Sequence, residues 1–193
     1  MKRVVSILLL MIIMTFCPST AHSASVQKQI VTEQGFETGY EYSKRGFASA
    51  VALGDVSVVD NFLKAGFNPN EKVAGMPIAF YAVFNEKNDV LEKLLKAGAN
   101  PNTSWGKVSL LTASIELNNI GAVKILSENG ADINKTTFKL TPLNYALYQK
   151  HSEIASLLLD KGAVADKKSL NFAKKRCKND DLVKKISEIL EKK

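Results

Sequence analysis

Short apolar faces return along this chain on a fixed step. Val58, Val59, Phe62 and Leu63 fall one, three and four residues apart, which predicts a helix with one buried face. The pattern comes back at Val90, Leu91, Leu94 and Leu95, at Ala122, Val123, Ile125 and Leu126, and at Ile154, Ala155, Leu157, Leu158 and Leu159. A step of 32 joins Val58, Val90, Ala122 and Ile154 in one column and Phe62, Leu94, Leu126 and Leu158 in another. Both columns stay apolar, as they must if each helix packs on its counterpart in the next unit. Before each of these helices lies a shorter apolar segment, at residues 47–52, 76–82, 108–113 and 141–146, which predicts a second, shorter helix per unit. One helix pair of this size cannot bury its own apolar face, but a stack of pairs shares a continuous core.

Polar punctuation repeats on the same step. Lys96-Ala97-Gly98-Ala99-Asn100-Pro101-Asn102 returns as Lys64-Ala65-Gly66-Phe67-Asn68-Pro69-Asn70 and as Glu128-Asn129-Gly130-Ala131-Asp132-Ile133-Asn134. A fourth version is Asp160-Lys161-Gly162-Ala163-Val164-Ala165-Asp166. The phrase reads as a helix end. Glycine takes the left-handed turn, and Asn or Asp then bonds its own backbone. Thr141 is a natural helix cap with Pro142 as the first helical residue, and Pro77 suits a first helical turn. Asp55, Asn88-Asp89 and Ser152 are expected to cap the second helices.

The two ends differ from the middle. Residues 25–43 are a polar lead-in broken by Gly35 and Gly39, and Phe36, Tyr40, Tyr42 and Phe47 are expected to cover the exposed end of the stack. From Lys167 a last unit keeps Leu170, Phe172, Ala173, Leu182, Val183, Ile186, Ile189 and Leu190 but lacks the glycine phrase. Residues 167–193 therefore read as a C-terminal cap, with Lys174, Lys175, Arg176, Lys178, Lys184 and Lys185 outward.

The first residues change the compartment. Lys2 and Arg3 precede a 13-residue apolar run at 4–16, Pro18 breaks it, and small residues follow to Ser25. This is the order of a secretory signal peptide, here 1–24, and the run is short for a bilayer span. A periplasmic or secreted location is expected. Cys17 follows Phe16, which is large where lipidation needs a small residue, so ordinary cleavage is favoured over a lipid anchor. Cleavage leaves Cys177 alone, without an internal disulfide partner.

Net charge is +7, and it is uneven. Residues 161–193 hold 11 Lys and Arg against 5 Asp and Glu, whereas 25–160 hold 13 against 14. The basic character belongs to the C-terminal end, where a solvated face is the plain reading. Nucleic-acid binding is not expected, because no aromatics interleave the lysines. Membrane association would need an anchor or the basic C-terminus.

Catalytic signals are nearly absent. His22 lies in the leader, and His151 sits in a turn before a helix. No Cys/His cluster has metal-ligand spacing, and no glycine-rich phosphate loop occurs. Asp180-Asp181 reads as a helix start and Glu188/Glu191 as a solvated face. No cofactor, metal or enzymatic activity is expected.

Two short helices, a Gly-Ala-Asp/Asn-x-Asn phrase and the Thr141-Pro142-Leu143 opening resemble ankyrin repeats over residues 44–193. Tetratricopeptide and Sel1-like repeats lack that phrase. The resemblance implies an all-α repeat solenoid of four to five helix-turn-helix units joined by hairpins. The family's usual His after Thr-Pro-Leu is Asn144 here and Leu111 in the preceding unit, which implies a weaker array. Pro77 and Ala113 stand one place out of register with the fourth unit.

The family typically binds proteins through hairpin tips and through the concave face of the first helices. The tips fall near 72–76, 103–108 and 135–140. This points to Trp105, Lys107 and Phe138 at the tips, and to Phe80, Phe84, Glu116, Tyr145, Tyr148 and Gln149 on the first helices, about half of the helical set being core. Trp105 has a second reading, folding back over Met76 or Phe138 as a stitch between hairpins. The expected function is an exported protein-binding module, more specifically an immunity protein or inhibitor that captures a toxin or enzyme. An envelope adaptor that holds anionic lipid or polymer on the basic C-terminal repeat is the alternative. An enzyme or peroxide-protection role would rest on Cys177 alone.

Overall fold

The computed structural model describes residues 40–192, together with the backbone at 30–31 and 37–38. The expected signal segment (1–24), Cys17 and Phe36 lie outside the described residues. The chain divides into two compact units, one ending at Glu41 and one from Tyr42 to Lys193. In the first, β1 (Ile30–Val31) pairs antiparallel with β2 (Glu37–Thr38).

The second unit is a stack of helix pairs. These are α1 (Lys44–Leu53) and α2 (Val56–Lys64), α3 (Ile78–Phe84) and α4 (Asn88–Lys96), α5 (Leu110–Glu116) and α6 (Ile120–Glu128), then α7 (Pro142–Gln149) and α8 (Ser152–Asp160). A last pair is α9 (Lys167–Phe172), continued by a π-helical turn over Ala173–Cys177, and α10 (Asp180–Glu191). First helices pack in one row, α1 to α3 to α5 to α7 to α9, and second helices in a parallel row, α2 to α4 to α6 to α8 to α10. The fold is the all-α repeat stack that the periodicity predicts.

Both apolar columns form the core between the rows. Val90, Ala122, Ile154, Leu94, Leu126 and Leu158 are fully buried, and Val58 and Phe62 nearly so. At the N-terminal end Tyr42 stacks on Phe62 at 5.8 Å and meets Phe67 edge-on at 4.9 Å, with Phe47 tilted against Phe62 at 5.4 Å. Aromatic rings thus pack together on the first described helix pair.

Two-residue hairpins join the middle units. Strand β3 (Lys72–Val73) pairs with β4 (Met76–Pro77), and β5 (Ser104–Trp105) with β6 (Val108–Ser109). Thr137 and Leu140 form a single bridge at the equivalent place. The last unit has no hairpin: α9 occupies that place, capped by Asp166.

Pro77, Ser109 and Thr141 cap α3, α5 and α7 at an unbroken spacing of 32, so the first helices stay in register. Pro77 is therefore the residue before the helix, extended at ψ 141°, not its first turn. The register also places Thr112, not Leu111, opposite Asn144. For the second helices the cap positions are Asp55, Lys87, Asn119 and His151. Asp55 and Asn119 accept backbone N–H bonds there, whereas Lys87 and His151 supply no side-chain cap. Asn88 and Ser152, expected as caps, are the first helical residues. The Asn88 side chain is engaged elsewhere: Asn88 and Asn119 exchange two amide bonds across the repeats, at 3.0 and 3.2 Å. Gly121 leaves room for this pair, since a Cβ there would sit 2.5 Å from Asn88 Nδ2.

Candidate protein-binding surface

The glycine phrase builds a polar ladder along one edge. In the first three phrases the Asn or Asp two residues after the glycine accepts the N–H two residues further on, as Asn68, Asn100 and Asp132 do at 2.9 Å. The second Asn reaches into the next repeat. Asn70 Nδ2 donates to Gly98 O at 2.9 Å while its Oδ1 accepts from Asn100 N–H at 2.7 Å. Asn102 repeats both bonds with Gly130 O and Asp132 N–H, at 3.0 and 2.7 Å, and Asn134 accepts from Val164 N–H at 2.9 Å.

A second column lies where each first helix meets the next hairpin. Thr112 Oγ1 donates to Thr137 Oγ1 at 3.1 Å, and Ser169 Oγ donates to Asn144 Oδ1 at 2.8 Å. Asn144 Nδ2 also reaches Asp166 at 3.3 Å. Burial pushes the Asp166 carboxyl up, but hydrogen bonds from Ser169 and Asn144 outweigh it and hold the pKa below the ordinary value. Asn144, 2% exposed, thus bonds the next unit through both its amide oxygen and its amide nitrogen.

In the second repeat the same column is aromatic. Trp105 meets Phe80 at 6.4 Å and Phe84 at 6.3 Å between ring centroids, both edge-on, with Phe80 and Phe84 5.6 Å apart. Trp105 is half-buried; it meets the rings of Phe80 and Phe84, and its strand β5 packs beside β4, which carries Met76. Phe80 is fully buried, so it supports this surface from beneath and is no part of it.

The other predicted residues separate as follows. Tyr145 is 9% exposed, and its hydroxyl donates to Glu116 Oε2, to which Gln149 Nε2 also donates. Burial first, then the Glu116 bond and charge, hold the Tyr145 pKa far above its ordinary value. His151 lies near the same carboxylate, and its pKa is lowered by burial against the opposing pull of Glu116. Tyr148 is half-buried under Arg176, whose guanidinium lies 4.0 Å over the ring and whose Nε donates to Tyr148 O at 2.8 Å. Lys107 and Phe138 are exposed at the hairpin tips, and Gln149 is half-exposed at the end of α7. Phe84, Glu116 and Tyr148 occupy one register position on successive first helices, so they form a continuous stripe between the hairpins and the second helices.

Phe138 is the exposed large hydrophobic at a tip, and one of seven non-glycine residues at positive φ among the described residues. It is 46% exposed and its backbone is left-handed, φ 53°. The equivalent residues of the other tips are Ala74 and Gly106, also at positive φ. A bulky residue in that region carries strain, and here burial does not offset it. Sequence reasoning placed Phe138 near a tip but had no means of seeing its φ.

The Cys177 Sγ–H donates to Leu147 O at 3.3 Å, and burial pushes the thiol pKa up against the Ser152 hydrogen bond and the Arg176 and Lys150 charges. In the basic last repeat, Arg176 is engaged on Tyr148 and Lys185 on Asp160 at 2.5 Å, while Lys174, Lys175, Lys178 and Lys184 are exposed. Among the described residues no group of three His, Cys, Asp or Glu could hold a metal ion. Among them, too, no helix is long and apolar enough to cross a membrane.

Stacked helix pairs with hairpins along one edge define a repeat scaffold. The family model for ankyrin repeats (three copies) matches residues 47–137 and again 79–171, which together span more than half of the chain. The protein belongs to the ankyrin-repeat family. Ankyrin repeats are protein–protein interaction modules, typically non-catalytic, and generally bind other proteins. A search of curated proteins gave no match.

Proposed function

We propose that this chain is an exported binding module that captures one partner protein through its hairpin tips and first-helix stripe. On this reading it is an immunity protein or inhibitor, and the partner is a toxin or an envelope enzyme. Export is supported by the basic, apolar and small-residue order of 1–24. The binding reading is carried by Phe138, an exposed aromatic held at φ 53° where the neighbouring tips use Ala74 and Gly106. Strain with no packing return is expected where a side chain is displayed for contact.

The test is capture from periplasmic extract with the exported chain as bait, its N-terminus read by mass spectrometry. The expected result is one stoichiometric partner, lost with Phe138→Gly while circular dichroism is unchanged. An unprocessed N-terminus defeats the export reading. No retained partner, or equal retention by Phe138→Gly, defeats the binding face.

A further inference from the structure

Several lysines of the second-helix row are neutralised: Asp60 pairs with Lys64 at 2.7 Å and Lys93 at 2.8 Å, Glu92 with Lys96 at 2.6 Å, and Glu128 with Lys161 at 3.0 Å, while Lys124 and Lys184 on that row are exposed. Along the hairpin edge none is. Lys72, Lys107, Lys135, Lys139 and Lys167 are exposed there, and no ion pair involves any of them among the described residues. Lys107 and Lys139 are register equivalents, 32 residues apart, and so are Lys135 and Lys167.

Of the acidic groups near this edge, Glu71 pairs with Lys44 at 2.8 Å, and its pKa is lowered by that bond. Asp132 accepts from Asn134 N–H at 2.9 Å and Asp166 caps α9, each keeping its charge. The unpaired lysines outnumber these two carboxylates, and Lys135 and Lys139 flank the exposed ring of Phe138 in sequence.

We infer that the hairpin edge is built for an acidic segment of a partner protein, with carboxylates on the lysine row and an apolar side chain against Phe138. This rests on the protein-binding reading above and names the partner's chemistry. Neighbouring repeats stack at about 10 Å, the usual helix-packing distance. An extended strand rises about 3.3 Å per residue, so a carboxylate at every third position meets successive lysines. Like charges held on that pitch repel one another until a partner neutralises them, which favours fast, salt-dependent capture. A protein segment fits better than a lipid surface because the lysines stand at narrow hairpin tips around a single apolar anchor, Phe138.

The probe is a fluorescein-labelled 12-residue peptide of Glu-Glu-Leu repeats, with a Gln-Gln-Leu peptide as control, titrated into the full exported chain. Binding of the Glu peptide is expected, weakening steeply with salt and at least about tenfold weaker for K107E/K135E/K139E. Carbodiimide coupling, which joins a carboxylate to a lysine amine as an amide, is expected at Lys107, Lys135 and Lys139. Coupling spread equally to Lys124, Lys174 and Lys175 would overturn the inference. So would equal binding of the Gln peptide, or phosphatidylglycerol vesicles binding through the same lysines while the peptide does not. A partner captured from extract that survives K107E/K135E/K139E but not Phe138→Gly sinks the acidic chemistry and leaves the binding module standing. Peptide binding on the lysine row with no partner captured sinks the capture reading instead.

Discussion

Phe80 and Trp105 meet edge to face, 6.4 Å between centroids, at the two register positions where the next repeat places Thr112 and Thr137 and the last interface places Asn144 and Ser169. All three pairs are 25 residues apart. One structural task, joining a first helix to the following hairpin, is carried out by an aromatic contact, then a hydroxyl pair, then an amide–hydroxyl bond. Position along the stack therefore decides which chemistry holds it.

Trp105→Ala should destabilise the fold by about 2–3 kcal/mol, below the full cost of a buried Trp because the ring is half-exposed. Urea unfolding followed by circular dichroism reads this, since the substitution removes the only Trp. Thr112→Val should cost less, about 1–2 kcal/mol, chiefly by leaving Thr137 without its donor. A Trp105→Ala chain of unchanged stability but altered binding would return Trp105 to the role of an exposed anchor.

The phrase asparagines should govern coupling between repeats. Asn102→Ala removes the bond to Gly130 O and the one from Asp132 N–H, at 3.0 and 2.7 Å, for a cost of about 1–2 kcal/mol. Native-state hydrogen exchange should show faster exchange at Asp132, with the amides of α2 hardly affected. Exchange accelerating equally across all repeats would mean that the ladder stabilises the fold without linking neighbours.

Helix placement was legible because apolar periodicity and the glycine phrase report backbone geometry directly. Val58 through Ile154 and Phe62 through Leu158 are buried as their spacing requires. Caps were less legible. Asn88 is a good cap by residue type, but its partner is Asn119, 31 residues away, and no local rule sees that bond. The site was only partly visible for the same reason. Glu116 is a plausible surface residue until the fold brings Tyr145 and Gln149 onto its carboxylate, and Phe80 is core because Trp105 covers it. The φ of Phe138 has no signature in residue type at all.

The Tyr145 hydroxyl should contribute to alkaline stability. Its pKa is raised from 10 by burial, the Glu116 bond and the Glu116 charge. The folded chain thus holds a proton that the unfolded chain loses. The contribution is complete below pH 10 and falls as pH rises above it. Tyr145→Phe should cost about 1 kcal/mol at pH 7 and flatten the loss between about pH 10 and 11.5. Thermal unfolding across that range, with Tyr81→Phe as a comparison because its pKa is also raised, checks the assignment. An unchanged alkaline slope in Tyr145→Phe would place the sensitivity elsewhere.

Phe138 separates stability from function. Its left-handed backbone suits glycine, as Gly106 shows at φ 60° in the preceding tip. Phe138→Gly removes the strain of a side chain at positive φ, worth about 1 kcal/mol or more, and adds unfolded-state entropy that opposes it by a similar amount. The exposed ring contributes little packing, so the net change should lie within about 0.5 kcal/mol of zero. Phe138→Asn, also tolerant of this backbone, should behave alike, whereas Phe138→Val should destabilise because a β-branched residue resists positive φ. Chemical denaturation of the three variants gives that order directly. A loss of 2 kcal/mol or more in Phe138→Gly would mean the ring is packed after all, and its exposure would no longer need a partner.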